Sequence, residues 1–187
     1  MADWNQIYKE KLVADATPAR VLLDNQHLLP VTGKALDYAS GLSGNGVFMA
    51  SQGLQVRAWD LSEVAVEKVN NYASDNGIAI NAEVKNLESS SEEIQGQFDV
   101  VVVSFFLHRD SFQKIYNLLN PGGILFYQTF CGEQINGVGP SRADFRLQRG
   151  ELLTTFKNMR LLSYREDLKT DRINAMPDQV YFVAQKI

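Results

Sequence analysis

KALDYASGLSGNGVFMA, residues 34–50, combines a strand pattern and a helix pattern on either side of a glycine-bearing turn. A short apolar strand ends in Asp37, and Gly41, Gly44 and Gly46 precede an apolar helix. Open α/β sheets form nucleotide pockets from this order, because glycines let a ligand approach the backbone and the first turn of a helix leaves N–H donors free. Such turns also occur for packing alone, so the rest of the chain has to distinguish a nucleotide pocket from a purely structural turn.

The segments that follow predict a sheet built mainly from parallel strands. The predicted strands are Leu54–Trp59, Ile78–Leu87, Phe98–Ser104, Ile124–Phe130, Arg160–Glu166 and Gln179–Gln185. Val100–Val103 is apolar and β-branched without alternation, which indicates a strand covered on both faces at the centre of a parallel sheet. The last two strands are joined by a polar connection containing Pro177 and are expected to pair antiparallel. We therefore predict an α/β fold with a doubly wound, mostly parallel seven-stranded sheet and a C-terminal antiparallel strand pair.

Smaller elements complete this expected single domain, residues 1–187. Residues 1–30 are predicted to form two helices, one over Asp3–Val13 and one capped by Thr17 that ends before Pro30. The first helix either packs on the domain edge or covers the pocket as a lid. Further helices are predicted from Ser62, which caps its helix, from a cap pair of Asp110 and Gln113, and over Glu151–Phe156. Asn120–Gly123 is predicted as a turn, and Glu88–Gly96 and Cys131–Arg149 as loops.

Composition narrows the class of protein. With 187 residues, 45% hydrophobic and 21% charged, the chain is long enough for one sizeable core. A net charge of −4 disfavours a broad nucleic-acid surface. The absence of a long apolar run and of a signal-peptide pattern leads us to expect a cytoplasmic protein without membrane association. Cys131 is the single cysteine and is expected to be buried, and no metal-ligand spacing is present, so no metal site is expected.

Polar residues at the predicted strand ends are candidates for chemistry. Asp60 ends the second strand, where nucleotide-binding sheets use a carboxylate to accept hydrogen bonds from ribose hydroxyls. His108 follows the fourth strand and is a candidate general base, with a structural histidine at the start of a helix as the equal alternative. Arg109 beside it is the second candidate catalytic residue. Arg109 and the cluster of Arg142, Arg146 and Arg149 would bind an anionic substrate, unless these arginines form a solvated surface.

The order of these motifs resembles the class I S-adenosylmethionine-dependent methyltransferases from about Leu29 to Ile187. ALDYASGLSGNGVFMA is similar to the family's first motif, AWDLS to its second-strand motif, FDVVVVSFFLHR to its fourth and LLNPGGILFYQTF to its fifth. In finer detail, SFFLHR, GGILFYQTF and ADFRLQRGELLTTF resemble a bacterial subgroup of tellurite-resistance-type methyltransferases.

The resemblance implies S-adenosyl-L-methionine as the cofactor and assigns residues to it. The methionine end is held by Asp37, Ala39 and Gly41, the ribose by Asp60, the adenine by Leu61, Asn86 and Leu87, and the methyl region by Ser104 and Phe105. Asn86 stands where the family usually has an acid. Ala39 and Ser43 stand in place of the outer glycines of the family's GxGxG motif.

The sequence therefore predicts methyl transfer to a small-molecule nucleophile, anionic or soft, such as an oxyanion or a thiol, by a monomer or homodimer. The altered glycine motif keeps one alternative open, a non-catalytic binding or regulatory protein with the same fold. A nicotinamide-dependent oxidoreductase is disfavoured, because the GxGxxG fingerprint is missing.

Overall fold

A seven-stranded sheet forms the centre of the molecule in a computed structural model that describes residues 3–89, 95–135, 137–167 and 178–187. The strands are β1 (Lys34–Tyr38), β2 (Gln55–Asp60), β3 (Ile80–Val84), β4 (Phe98–Ser104), β5 (Leu119–Phe130), β6 (Met159–Glu166) and β7 (Gln179–Lys186). Their order is β3-β2-β1-β4-β5-β7-β6; the first five strands along the chain pair in parallel, and β7 pairs antiparallel with both β5 and β6. The predicted fold class, including the antiparallel C-terminal pair, is confirmed.

Helices cover both faces of this sheet. They are α1 (Trp4–Tyr8), α2 (Arg20–Asp24), α3 (Gly44–Ser51), α4 (Glu63–Asn76), α5 (Phe112–Leu118) and α6 (Glu151–Thr155). The valines of β4 alternate between two cores. Val101 and Val103 pack in the core that contains residues of α5 and α6, whereas Val100 and Val102 pack in the core that contains residues of α2 and α3. The unbroken apolar run of β4 is thus explained by burial on both faces.

The N-terminal helices are much shorter than the sequence predicts. α1 ends at Tyr8, and the second helix begins at Arg20 with Ala19 as its N-cap, so the predicted cap at Thr17 is wrong. Long-range hydrogen bonds explain the later start. The Ala19 N–H donates to the Asn45 side-chain oxygen at 2.8 Å, and the Val21 N–H donates to the Gln128 side-chain oxygen at 2.9 Å. These bonds satisfy amide groups that a longer helix would have used.

Three further boundaries differ from the sequence prediction. The third strand is shorter and covers only Ile80–Val84. A 3₁₀ turn, Arg109–Ser111, precedes α5, which has no side-chain cap, so the predicted pair of Asp110 and Gln113 is wrong. Asn120–Gly123 lies within the bounds of β5 at an irregularity, because Phe98 pairs with Leu119 whereas Val100 pairs with Ile124.

Some expectations concern residues beyond the described ranges. The polar connection with Pro177 lies outside them, as do residues 90–94 of the predicted loop after β3. Within the ranges that are described, no helix is both long and apolar enough to cross a membrane.

Candidate functional site

A cleft of about 710 Å³ opens at the carboxyl ends of β1, β2 and β4. The chain connections diverge here, because β2 lies on one side of β1 and β4 on the other, which is the usual place for a ligand in an open α/β sheet. Of the nine residues that the resemblance assigns to the cofactor, all but Asp37 line this cleft. They are Ala39, Gly41, Asp60, Leu61, Asn86, Leu87, Ser104 and Phe105.

The loop after β1 has an unusual backbone. Ala39, Gly41 and Ser43 have φ angles of 56°, 53° and 55°, so every second residue from 39 to 43 has a left-handed backbone conformation. These are the three positions of the family's GxGxG motif, and an L-residue in this conformation costs roughly 1–2 kcal/mol. Phe105, with φ 54°, is the remaining non-glycine residue with a positive φ among the described residues, and it borders the same cleft. Strained backbone is therefore concentrated at this site, as is typical of functional sites.

The side chain of Asp37 holds the loop after β1 in place through hydrogen bonds. Its buried carboxylate accepts hydrogen bonds from the Ser43 hydroxyl at 2.9 Å, the Asn45 amide at 3.1 Å and the Gly46 N–H at 3.1 Å. Burial raises the pKa of Asp37 to about 7, although these hydrogen bonds act in the opposite direction. Because Asp37 does not line the cleft, its predicted direct contact with the cofactor is not supported; the residue shapes the loop that would make this contact.

Asn45 connects this loop to two other parts of the site. Its amide nitrogen donates to the Ser104 hydroxyl at 3.0 Å as well as to Asp37, and its oxygen accepts the Ala19 N–H. The end of β1, the end of β4 and the start of α2 are thus tied by one buried side chain. A single polar residue inside an apolar helix start gives little sequence signal, so the sequence does not single out Asn45.

Asp60 is positioned at the tip of β2 and is only 8% exposed. One carboxylate oxygen accepts the Gly41 N–H at 2.7 Å, and the other accepts the Ser62 N–H at 2.9 Å. Since a carboxylate oxygen has two lone pairs, each retains one for a ligand hydroxyl. The Ser62 side chain accepts the Ala65 N–H at 3.1 Å, which confirms the predicted cap of α4.

An apolar wall and an amide continue the cleft beyond Asp60. Leu61 is 39% exposed, and Asn86 lies on the loop after β3, with its side-chain oxygen accepting the Glu88 N–H at 3.2 Å. Leu87 is 4% exposed and belongs mainly to the core. A flat apolar group with polar edges, such as a purine, fits between such residues.

Aromatic side chains form another part of the cleft lining. Phe105 is 52% exposed, and its ring centroid lies 5.3 Å from that of Phe130. Its backbone is held by a hydrogen bond of 2.8 Å from its N–H to the Gln128 carbonyl, which fixes the turn at the end of β4. Phe106 also lines the cleft.

The two predicted catalytic residues, His108 and Arg109, lie outside the residues that line this cleft. His108 Nδ1 is 2.7 Å from the Ser111 hydroxyl, which in turn donates to the Leu87 carbonyl at 3.1 Å. Since the hydroxyl has one proton and gives it to Leu87, we assign the Nδ1–H donor tautomer to His108. This arrangement supports the structural alternative for His108.

Arg109 donates its hydrogen bonds to protein groups and lies, with Arg146 and Glu151, at a separate smaller pocket. Its guanidinium donates to both carboxylate oxygens of Glu151, at 2.8 and 3.0 Å, and to the carbonyls of Asp144 and Arg146. The hydrogen bond with Glu151 raises the pKa of Arg109. Arg109 thereby ties the loop after β5 to the start of α6.

Neither predicted anion ligand, Arg142 nor Arg146, lines the cleft. Arg142 is exposed and pairs with Asp144 at 3.0 Å. Arg146 is 3% exposed, and its guanidinium donates to five backbone carbonyls, those of Cys131, Gly132, Glu133, Pro140 and Asp178. The predicted substrate role of Arg146 is not supported, because this side chain is buried and its donors hold the loop together.

The N-terminal segment forms one wall of the cleft. The sequence alone leaves open whether this segment packs on the domain edge or covers the pocket. Trp4 and Tyr8 of α1 line the cleft, and their rings stack with centroids 6.0 Å apart. The Tyr8 hydroxyl lies over Gly41, where a Cβ would come within 2.6 Å of it. The spacing of four residues between the two aromatic rings was visible in the sequence, but it did not show which surface they cover.

Among the described residues, no group of three His, Cys, Asp or Glu side chains is placed to hold a metal ion. Cys131 is buried, as predicted, and burial raises its thiol pKa to about 11. A thiol with a raised pKa is a poor nucleophile near neutral pH.

Comparison with known proteins identifies related sequences and folds. Residues 3–176 match the family described as "Tellurite resistance protein TehB". The chain is 24% identical over 131 residues to the ubiquinone biosynthesis O-methyltransferase of Azotobacter vinelandii, with 67% of this chain and 56% of that protein covered. The chain thus spans little more than half the length of the curated relatives that it matches.

Solved structures show the same fold. TehB from Haemophilus influenzae superposes with a TM-score of 0.75 at 21% identity, covering 98% of this chain and 67% of that one. A TehB-like S-adenosylmethionine-dependent methyltransferase from Corynebacterium glutamicum superposes with a TM-score of 0.65 at 18% identity, covering 99% of this chain and 97% of that one.

Proposed function

The chain belongs to the tellurite resistance protein TehB family, and we propose that it transfers a methyl group from S-adenosyl-L-methionine to a small-molecule nucleophile. The observation that carries this proposal is the cleft between the left-handed loop after β1 and the Asp60 carboxylate at the tip of β2. Curated relatives are named as methyltransferases, which agrees with it.

The residues around the cleft fit the parts of the cofactor. Asp60 would accept hydrogen bonds from the ribose hydroxyls, and Leu61 and Asn86 would contact the adenine ring and its edge. The loop through Gly41 would approach the amino-acid end, with Ser104 and Phe105 beneath the sulfonium. When bound, the cofactor supplies an electrophilic methyl group on sulfur.

The protein's own contribution to the reaction would be positioning. An in-line displacement needs the nucleophile aligned with the methyl group, and alignment alone reaches effective molarities on the order of 10⁵ M or more. Phe105 and Phe106 at the methyl end would exclude water and present aromatic faces, which also attract a sulfonium cation. No histidine lines the cleft among the residues described, so an acceptor that needs no proton removed by imidazole is favoured.

We propose a soft nucleophile as the acceptor in preference to a hard anion. Arg109 and Arg146 donate to Glu151 and to backbone carbonyls, and Arg142 pairs with Asp144, so none of these arginines is placed to receive an anion in the cleft. The cations that line the cleft are Lys11 and Lys85. Sulfur, selenium and tellurium nucleophiles are compatible with this environment because their polarisable atoms need little charge compensation.

The test is formation of S-adenosylhomocysteine from S-adenosylmethionine in the presence of a thiol or a selenol as soft acceptors, of selenite or tellurite as oxyanions, or of a catechol. We expect turnover with the thiol or the selenol and weaker turnover with the oxyanions and the catechol, whereas turnover with the oxyanions alone would contradict the preference for a soft acceptor. A folded protein that binds the cofactor but forms no S-adenosylhomocysteine with any acceptor would favour the non-catalytic alternative.

A further inference from the structure

We infer that α1 is a strap across the cofactor cleft, that the Tyr8 hydroxyl contacts the adenosyl ligand, and that Lys68 of α4 is a positioning residue that holds the strap closed. This inference rests on the proposed cofactor. It goes beyond the fold and the family, because it assigns roles to an N-terminal segment and to a lysine outside every motif of the sequence.

Tyr8 occupies a position where a ligand would meet it. Its hydroxyl lies over Gly41, in the left-handed loop whose N–H donates to Asp60. Partial burial, reinforced by the negative charges of Asp60 and Asp37, raises the pKa of Tyr8 to about 12. The phenol therefore keeps its proton at neutral pH and can donate a hydrogen bond to a ligand oxygen or nitrogen in the cleft.

Lys68 holds the end of the strap from outside the cleft. Its ammonium donates to three acceptors around the end of α1, the carbonyls of Tyr8 at 3.0 Å, Lys9 at 2.6 Å and Lys11 at 2.8 Å. The Tyr8 carbonyl also accepts the Lys11 N–H at 3.2 Å, and a cation is favoured where the carbonyls of a helix C-terminus are exposed. One side chain thus uses all three of its donors to place Tyr8 over the loop.

A second polar contact holds the strap nearer its beginning. The Asn5 side-chain oxygen accepts the Ser62 hydroxyl at 2.7 Å, and the Val64 N–H lies 3.4 Å from the same oxygen. No residue of α1 is buried, and Trp4 is 41% exposed. Tyr8 is the residue of α1 that packs against a core cluster, and the other contacts of the strap are surface hydrogen bonds. The strap can therefore open at low free-energy cost while the sheet stays folded.

The consequence concerns the rate at which the cofactor leaves. With the strap closed, the rings of Tyr8 and Trp4 form one wall of the cleft, so ligand release requires the three carbonyls to separate from Lys68. Weakening this contact should speed release much more than it slows binding, because most affinity changes among variants of one site appear in the dissociation rate.

Lys186 provides a matched control for Lys68. Its ammonium also donates to backbone carbonyls, those of Tyr116 at 3.1 Å and Leu119 at 2.7 Å, but neither Lys186 nor these two residues line the cleft. Lys68→Met and Lys186→Met therefore remove the same kind of contact at different places. Asn5→Ala weakens the strap by removing the acceptor of Ser62 and Val64 while Lys68 stays in place, and Lys68→Arg keeps the positive charge.

The experiment measures the dissociation rate of S-adenosylhomocysteine by stopped-flow tryptophan fluorescence and its affinity by calorimetry. Trp4 in the strap and the buried Trp59 are the two tryptophans, so strap movement should change the emission. We expect about tenfold faster release from Lys68→Met, a smaller increase for Asn5→Ala, partial recovery in Lys68→Arg and no change in Lys186→Met. Tyr8→Phe should weaken binding about fivefold, in keeping with the loss of one hydrogen bond.

Two results would overturn the inference. If Lys68→Met melts normally but releases the ligand at the wild-type rate, as the control Lys186→Met should, α1 is only a helix packed on the domain edge. If Tyr8→Phe binds as tightly as the wild type, the hydroxyl makes no contact with the ligand. Absence of binding by the folded wild type would instead overturn the proposed cofactor, and the inference with it.

Discussion

At the scale of single residues, the site combines left-handed backbone with a buried carboxylate beneath it. Ala39 and Ser43 keep a conformation that suits glycine, and Asp37 accepts three hydrogen bonds from the loop and the helix that follow. The Ser43 hydroxyl compensates part of its strain by donating to Asp37, whereas Ala39 has no such bond available. The two departures from the family's glycine pattern therefore have different physical consequences.

Asp37 should make stability depend on pH. Its carboxyl has a pKa of about 7 in the folded protein against 3.8 as the ordinary value, so the native state binds more protons than the unfolded state between these values. The free energy of unfolding should then fall as the pH rises through this window. Relative to Asp37→Asn, we expect the wild type to lose about 2 kcal/mol between pH 5 and pH 7, measured by urea unfolding. Parallel profiles for the two proteins would show that the carboxyl titrates normally.

Ala39→Gly should stabilise the protein. Glycine removes the left-handed penalty of roughly 1–2 kcal/mol but loses part of this gain through the greater entropy of its unfolded state, which leaves about 0.5–1 kcal/mol. Ala50→Gly within α3 is the control, because Ala50 has no positive φ and the same change should cost about 1 kcal/mol there. Equal losses for both variants in thermal unfolding would contradict the strain assigned to Ala39.

At the scale of elements, the described parts of the loop between β5 and α6 are organised around two arginines. Arg146 donates to five carbonyls from within the protein, and Arg109 joins the same loop to Glu151 at the start of α6. The length and polarity of Cys131–Arg149 correctly predict a region with little regular structure. They do not reveal that its charged residues form internal bonds, because this depends on backbone carbonyls that converge only in the folded chain.

Arg146→Gln should therefore act on stability. Five carbonyls lose a charged donor in a buried place, and we expect a loss of about 3 kcal/mol in urea unfolding. Arg142→Gln removes an exposed pair with Asp144 and should change stability by less than about 0.5 kcal/mol. If Arg146→Gln instead keeps its stability and raises the KM of an anionic acceptor, the role first predicted from the sequence is the correct one.

At the scale of the whole molecule, the sheet was predictable from the sequence and the N-terminal region was not. The β-branched run of β4 and the turn after β1 are local signals for a central strand and for a strand-to-helix crossing. The start of α2 instead depends on Asn45 and Gln128, which lie 26 and 107 residues along the chain from their partners. The local pattern at Thr17 and Pro18 favours an earlier start, and these long-range hydrogen bonds override it.

The residues of the candidate site also fall into those that local sequence signals predict and those that depend on long-range contacts. Positions that follow directly from strand ends, such as Asp60 and Phe105, were found because all parallel strands end at one edge of the sheet. The position of Tyr8 at the cleft was not predicted, because it depends on how α1 crosses the loop after β1. His108 was found by its position after β4, but the hydrogen bond to Ser111 that occupies its Nδ1 has no local sequence signal.

The central claim is that this cleft binds an adenosyl cofactor, and calorimetric titration of the folded protein with S-adenosylhomocysteine tests it most directly. NADH is the control ligand, and Asp60→Ala removes the carboxylate assigned to the ribose. We predict micromolar binding of S-adenosylhomocysteine by the wild type, about −8 kcal/mol, no binding of NADH, and at least a tenfold loss of affinity in Asp60→Ala. Absence of binding by the folded wild type, or equal binding by Asp60→Ala, would contradict the claim.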